Sequence, residues 1–196
     1  EGYVKIAGPG DGILNMLEFG RVGVMRERPF EGDTGEREVV FDIISGIGCL
    51  ETADGAMYEK LGGRANPFVA GPTLICLPPG TRYCITAETP TLDMAVSMTP
   101  APAGLPVAVV GPHDLPENKA GAANWSRTIR PGTSVAPTTR RLMMAETLVP
   151  PGNWTSYPPH KHDRENPPNE SPRKPVPRSC TTINQARSWN SISPIS

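Results

Sequence analysis

Two histidines one residue apart, His160 and His162, are the side chains of this sequence best suited to hold a metal ion. They sit in SYPPHKHDREN, Ser156–Asn166, behind two prolines and ahead of mixed charge. In a strand, residues i and i+2 face the same side, so both imidazoles would point together with Lys161 opposite. Two such rings can share a divalent metal, at nitrogen–metal distances of about 2.0–2.1 Å for zinc. An HxH pair is equally read as two exposed side chains in a polar loop. The apolar strand upstream, the Gly-Asn turn and the acids downstream favour the metal. A catalytic zinc takes three protein ligands and a structural one four, yet the chain has 3 histidines in all. The third, His113, lies far upstream between Pro112 and Asp114 and reads as a surface-loop residue. Asp163, Glu165 and Glu170 read as solvated carboxylates, with Glu165 the best reserve ligand. No general base identifies itself: Tyr157 reads as a packing residue and Lys161 as solvent-facing.

The elements that must position this pair read as strands. With 24 Pro and 20 Gly among 196 residues, the chain consists of many short elements joined by turns, which favours an all-β sandwich or barrel. EREVVFDIISGIGCLET reads as one or two strands with a bend at SGIG, Ser45–Gly48. ADG, Ala53–Gly55, is a hairpin signal, and AMYEKLGG opens with a short strand. Apolar strands Thr73–Leu77 and Arg82–Thr86 flank the tight turn PPG, Pro78–Gly80. LDMAVSMTP adds another, and a short strand is expected at Val107–Val110. RRLMMAETLVP is the strand that leads through the turn PGN to the histidines. Four units follow: a first barrel over 1–110, a connector over 111–140, the start of a second barrel over 141–170, and an atypical tail over 171–196. From Ser171 the tail has no acidic residue and no strand or helix periodicity; its apolar content is too low to offset ordering entropy, so disorder is expected.

A net charge of -1 argues against a nucleic-acid surface, which needs a basic excess. No apolar run is long enough to cross a bilayer. Cys49, Cys76, Cys84 and Cys180 match no zinc-finger or CxxC spacing and read as reduced thiols, so a reducing, cytoplasmic setting is expected.

GNWTSYPPHKHD, Gly152–Asp163, resembles the signature of the bacterial 5-deoxy-glucuronate isomerase family of inositol catabolism. LGGRANPFVAGPTLICLPPGTRYCITAET, Leu61–Thr89, is similar to that family's first barrel. GAANWSRTIR, Gly121–Arg130, is similar to its connector, with an inserted alanine at Ala123. The resemblance runs from about Gly32 to Glu170. It implies a bicupin, two β-barrels in one chain, with no metal in the first barrel, where Tyr83 stands about where a ligand histidine would follow. In the second barrel it implies a divalent metal, zinc, held by His160 and His162, a downstream glutamate and a late histidine. The last two have no counterpart here. A shifted reading frame is one expected cause: PRSCTTINQ, Pro177–Gln185, read two nucleotides on in permitted codons, gives Glu-Val-Leu-Tyr-Tyr-His-Gln.

The resemblance implies an aldose–ketose isomerase converting 5-deoxy-glucuronate to 5-dehydro-2-deoxy-gluconate. With two histidines and an incomplete second barrel, weak metal binding and little turnover are expected of these 196 residues. The alternative is a non-catalytic cupin module that binds a sugar acid or a protein partner. Open sheet edges would favour homo-oligomers.

Overall fold

The run from Arg37 to Thr52 becomes two strands because Gly46 turns the chain. Gly46 has φ +92°, and a Cβ there would collide with the carbonyl oxygen of Thr91, so only glycine fits. The computed structural model describes residues 1–11, 14–133, 138–155 and 181–184, the last four by their backbone. Fourteen strands are described: β1 (Gly2–Ala7), β2 (Glu18–Met25), β3 (Phe30–Asp33), β4 (Arg37–Ser45), β5 (Ile47–Thr52), β6 (Met57–Gly62) and β7 (Leu74–Leu77). They continue as β8 (Arg82–Ala87), β9 (Thr91–Pro100), β10 (Ala108–Val110), β11 (Asn118–Ala120), β12 (Arg127–Pro131), β13 (Ala145–Val149) and β14 (Thr181–Asn184).

The first sheet has the order β1-β2-β9-β4-β7-β10 and the second β3-β8-β5-β6. Between them lies the main core. Val39, Phe41 and Ile43 of β4, Ile75 and Leu77 of β7, and Leu92, Met94, Val96 and Met98 of β9 meet Leu50 and Ile85 of the second sheet. Alternate residues fill this core because side chains switch faces at every step of a strand. The turn at Pro78–Gly80 is not a hairpin between neighbours. It carries the chain from β7 in the first sheet to β8 in the second, and Gly80 N–H donates to the Gly35 carbonyl at 2.8 Å.

β4 is buried on both faces, not on one. Its other face presents Glu38, Val40 and Asp42, all almost fully buried. Val40 joins Leu74, Cys76, Val110, Leu142 and Met144 in a second core on the outer side of the first sheet. The third sheet, β11-β12-β13-β14, is antiparallel except for its last pair.

Two features depart from the sequence reading. The 111–140 connector supplies β11 and β12, half of the third sheet; these strands are short and set among Pro, Gly and Ala, so alternation is hard to see. Within the tail expected to lack order, Thr181–Asn184 forms β14, parallel to β13. Its Thr-Thr-Ile run has the β-branched character that suits a strand. The rest of 171–196 lies outside the described residues. No described helix is long and apolar enough to cross a membrane.

Candidate functional site

β13 is the strand that delivers the histidine segment, so its anchoring defines the site. It pairs with β12 in a register that sets Glu146 opposite Arg130. Directly opposed side chains share a face and lie close enough to interact, and Arg130 Nη1 is 3.7 Å from Glu146 Oε2. Beyond β13, the turn at 150–153 closes through Asn153 N–H to the Pro150 carbonyl at 3.1 Å. Asn153 Nδ2 then donates to the Ser126 carbonyl at 2.9 Å and to Ser126 Oγ at 3.0 Å. Trp154 N–H donates to the Asn124 carbonyl at 2.7 Å. The GNW of the histidine motif is thereby pinned to the NWS of the connector motif. Ala123 sits at the head of that loop with φ +46°, a left-handed conformation costly for alanine. Ala123 is therefore a point of backbone strain. Its carbonyl accepts from Ser126 N–H and Ser126 Oγ.

Beneath β13 lies a buried ionic cluster. The glycines Gly62 and Gly63, at φ +98° and +106°, turn the chain after β6 and send Arg64 inward. A Cβ on Gly62 would lie 2.5 Å from the Gly46 carbonyl oxygen. Arg64 Nη2 donates to Asp42 Oδ1 at 2.9 Å and to Glu146 Oε1 at 2.6 Å, while Nη1 donates to Glu146 Oε2 at 3.0 Å. Arg64 Nε reaches the Ile43 carbonyl at 2.8 Å. Arg130 closes the far side, donating to Glu117 Oε1 at 2.7 Å and to the Ala70 carbonyl at 3.0 Å. Arg64 donates to that same carbonyl.

The cluster balances two guanidinium groups against two buried carboxyls, but not evenly. Glu146 is gripped at both oxygens. Asp42 holds one bond, and its Oδ2 is the buried side-chain atom left without a hydrogen-bond partner among the described residues. Burial pushes the Asp42 carboxyl well above the usual carboxylate range; the charge of Glu146 adds to this and Arg64 opposes it. Asp42 thus tends to hold its proton where other carboxyls lose theirs.

A second link runs in parallel. The buried Glu38 carboxylate accepts backbone N–H bonds from Arg140 at 2.7 Å, from Arg141 at 2.7 Å and from Leu142. Charge-assisted bonds of this kind are among the stronger ones.

The candidate ligands His160 and His162 lie outside the described residues, as do Tyr157, Lys161, Asp163, Glu165 and Glu170. His113 is exposed, in a short 3-10 turn at Pro112–Asp114. Among the described residues no three His, Cys, Asp or Glu side chains are placed to hold a metal ion. Tyr83 packs edge-on against Phe41, ring centroids 5.6 Å apart, and against Phe30 at 6.3 Å. Burial pushes its hydroxyl up to about 12. Tyr83 is thus part of the aromatic packing against the main core. The described cysteines, Cys49, Cys76 and Cys84, are free thiols.

The sequence pattern of the KduI/IolB family matches residues 6–176, most of the chain. The chain belongs to the KduI/IolB family. That span is wider than the resemblance read from motifs alone, and it takes in β2, the ionic cluster and both histidines. A 5-deoxy-glucuronate isomerase of Geobacillus thermodenitrificans is 27% identical over 172 residues, covering 87% of this chain and 62% of that protein. One from Geobacillus kaustophilus is 29% identical, covering 71% and 50%. One from Listeria monocytogenes serotype 4a is 30% identical, covering 66% and 48%. The chain therefore spans about half to three-fifths of the length of the curated relatives it matches. The crystal structure of an IolB-like protein from Salmonella typhimurium LT2 superposes with a TM-score of 0.59 at 23% identity, over 65% of this chain and 48% of that one. It supports the fold, an all-β sandwich.

Arg64, Asp42, Glu146 and Arg130 were not singled out from the sequence. A signal for two of them was present: Asp42 interrupts VVFDII and Glu146 interrupts MMAETLV. An acid inside an apolar strand that must be buried calls for a partner.

Proposed function

We propose that this chain is the barrel and the histidine-bearing segment of a sugar-acid isomerase that converts 5-deoxy-glucuronate to 5-dehydro-2-deoxy-gluconate. The observation that carries the reading is the family match over 6–176, which spans the barrel and His160–His162 together. The curated relatives named 5-deoxy-glucuronate isomerase support the substrate class.

The reaction moves a proton between adjacent carbons and turns an aldose into a ketose, which needs a positioned base and stabilisation of the ene-diolate. A divalent metal, zinc in this proposal, supplies Lewis-acid polarisation of the sugar carbonyl when bound. His160 and His162 are its proposed holders. The described residues contribute by fixing where that pair begins: β13 is clamped to the barrel, and the turn after it is pinned to the connector. A second barrel completed by further chain, a bicupin, belongs to the same proposal.

The test is zinc titration of the purified chain and of H160A/H162A, alongside conversion of 5-deoxy-glucuronate. Zinc binding that falls about tenfold or more without the two imidazoles, together with histidine-dependent conversion, supports the isomerase. Sugar-acid binding with no conversion supports the non-catalytic module instead.

A further inference from the structure

We propose that Arg64 is the positioning residue that fixes β13, the strand that precedes the histidine segment in sequence: its guanidinium clamps Glu146 on β13 to Asp42 on β4, and so sets where the chain leaves the barrel. The positioning role for catalysis rests on the isomerase reading; the clamp itself does not.

Three observations carry it. First, Arg64 belongs to neither strand it joins. It comes from the loop after β6 and touches β4 at Asp42 and Ile43, β13 at Glu146, and its own loop at Ala70. Second, the grip on Glu146 uses both carboxylate oxygens, a planar fork that fixes orientation as well as distance. Third, the Arg64–Glu146 pair ties β13 across sheets to β4. Its backbone bonds go to β12 and β14 within the third sheet, and the Glu38 link meets the chain earlier, at Arg140–Leu142. Only five residues, Thr147–Pro151, separate Glu146 from the turn residue Gly152, so a tilt of β13 at Glu146 is carried into the turn that Asn153 and Trp154 pin to the connector.

Hydrogen exchange of the full chain, followed by mass spectrometry, tests this in R64M, R64K and E146Q. The expected result is exchange about tenfold faster in 145–155 for R64M, with β5 and β8, on the far side of the main core, changed less than about twofold. R64K is expected to resemble R64M, because one ammonium cannot form the fork. E146Q keeps its acceptor oxygen and is expected to fall between. Uniform acceleration across all strands would make Arg64 a general stability residue and overturn the proposal, as would no acceleration at 145–155. If R64M does not fold, E146Q alone decides by the same local-against-global comparison. Conversion of 5-deoxy-glucuronate, measured on the same proteins, separates the two ideas. A local exchange effect in a chain that never converts the sugar acid leaves the clamp standing and removes the isomerase. Conversion unaffected by R64M leaves the isomerase standing and removes Arg64 from it.

Discussion

Arg64 and Glu146 lie 82 residues apart in sequence and meet as a two-point pair, Nη2–Oε1 at 2.6 Å and Nη1–Oε2 at 3.0 Å, with both side chains almost wholly removed from solvent. This contact joins the barrel to β13, the strand that precedes the histidine segment in sequence. It means that the first barrel and the following sheet share a boundary built from charge as well as from the apolar packing of Val40, Leu74, Leu142 and Met144.

Removing the arginine from this pair leaves two buried carboxyls without their common partner. Loss of one member of a buried ion pair costs about 3–5 kcal/mol. R64M is therefore expected to unfold at markedly lower urea concentration than the natural chain. A midpoint shift worth less than about 1 kcal/mol, the range of exposed pairs, would show that the cluster is solvated in solution.

Asp42 makes the stability of the fold pH-dependent, and the sign follows from its raised carboxyl. The folded chain keeps this proton at pH values where the unfolded chain, with an ordinary carboxyl near about 3.9, has released it. The stabilising contribution is complete below the unfolded value and is lost as pH rises toward the folded one. D42N carries a permanently neutral group and lacks this term. Urea unfolding between about pH 4 and pH 8 should show D42N gaining stability relative to the natural chain as pH rises. A difference that shrinks with rising pH would mean that Asp42 is ionised in the fold.

Gly62 is held to glycine by two independent constraints, φ +98° and a carbonyl oxygen 2.5 Å from where a Cβ would be. Because the obstruction is backbone, it cannot swing aside. G62A is expected to lose about 2 kcal/mol or more, at the upper end of single-residue effects. It should also speed proteolysis near Arg64. Thermal unfolding indistinguishable from the natural chain would contradict the described turn.

Ala123 offers the opposite change. At φ +46° the alanine pays a left-handed penalty of about 1 kcal/mol that glycine avoids. A123G should raise the unfolding temperature by a few degrees while keeping the Asn153–Ser126 bonds. A lower temperature would show that the loop takes another conformation in solution.

Much of this fold was legible from residue types. The runs now seen as β4 and β7 are rich in Val, Ile and Leu, and these and β5, β8 and β9 are bounded by Gly, Pro or Asp-Gly turns, which is the pattern of short buried strands joined by turns. The connector strands were not legible, because β11 is a three-residue polar segment, NKA, whose pairing is decided by its neighbours and not by its own propensity. The ionic cluster that anchors β13 could not be read from local sequence. Asp42 and Glu146 each signal the need for a partner, but nothing local says that one arginine serves both. That depends on the path of the chain through Gly62 and Gly63, a tertiary fact.

The most direct measurement is a time course of 5-deoxy-glucuronate with the purified chain and zinc, followed by proton NMR, in parallel with H160A/H162A. The account predicts slow formation of the keto sugar acid by the natural chain and none by the double variant. No conversion by the natural chain, or conversion that survives loss of both histidines, would contradict it.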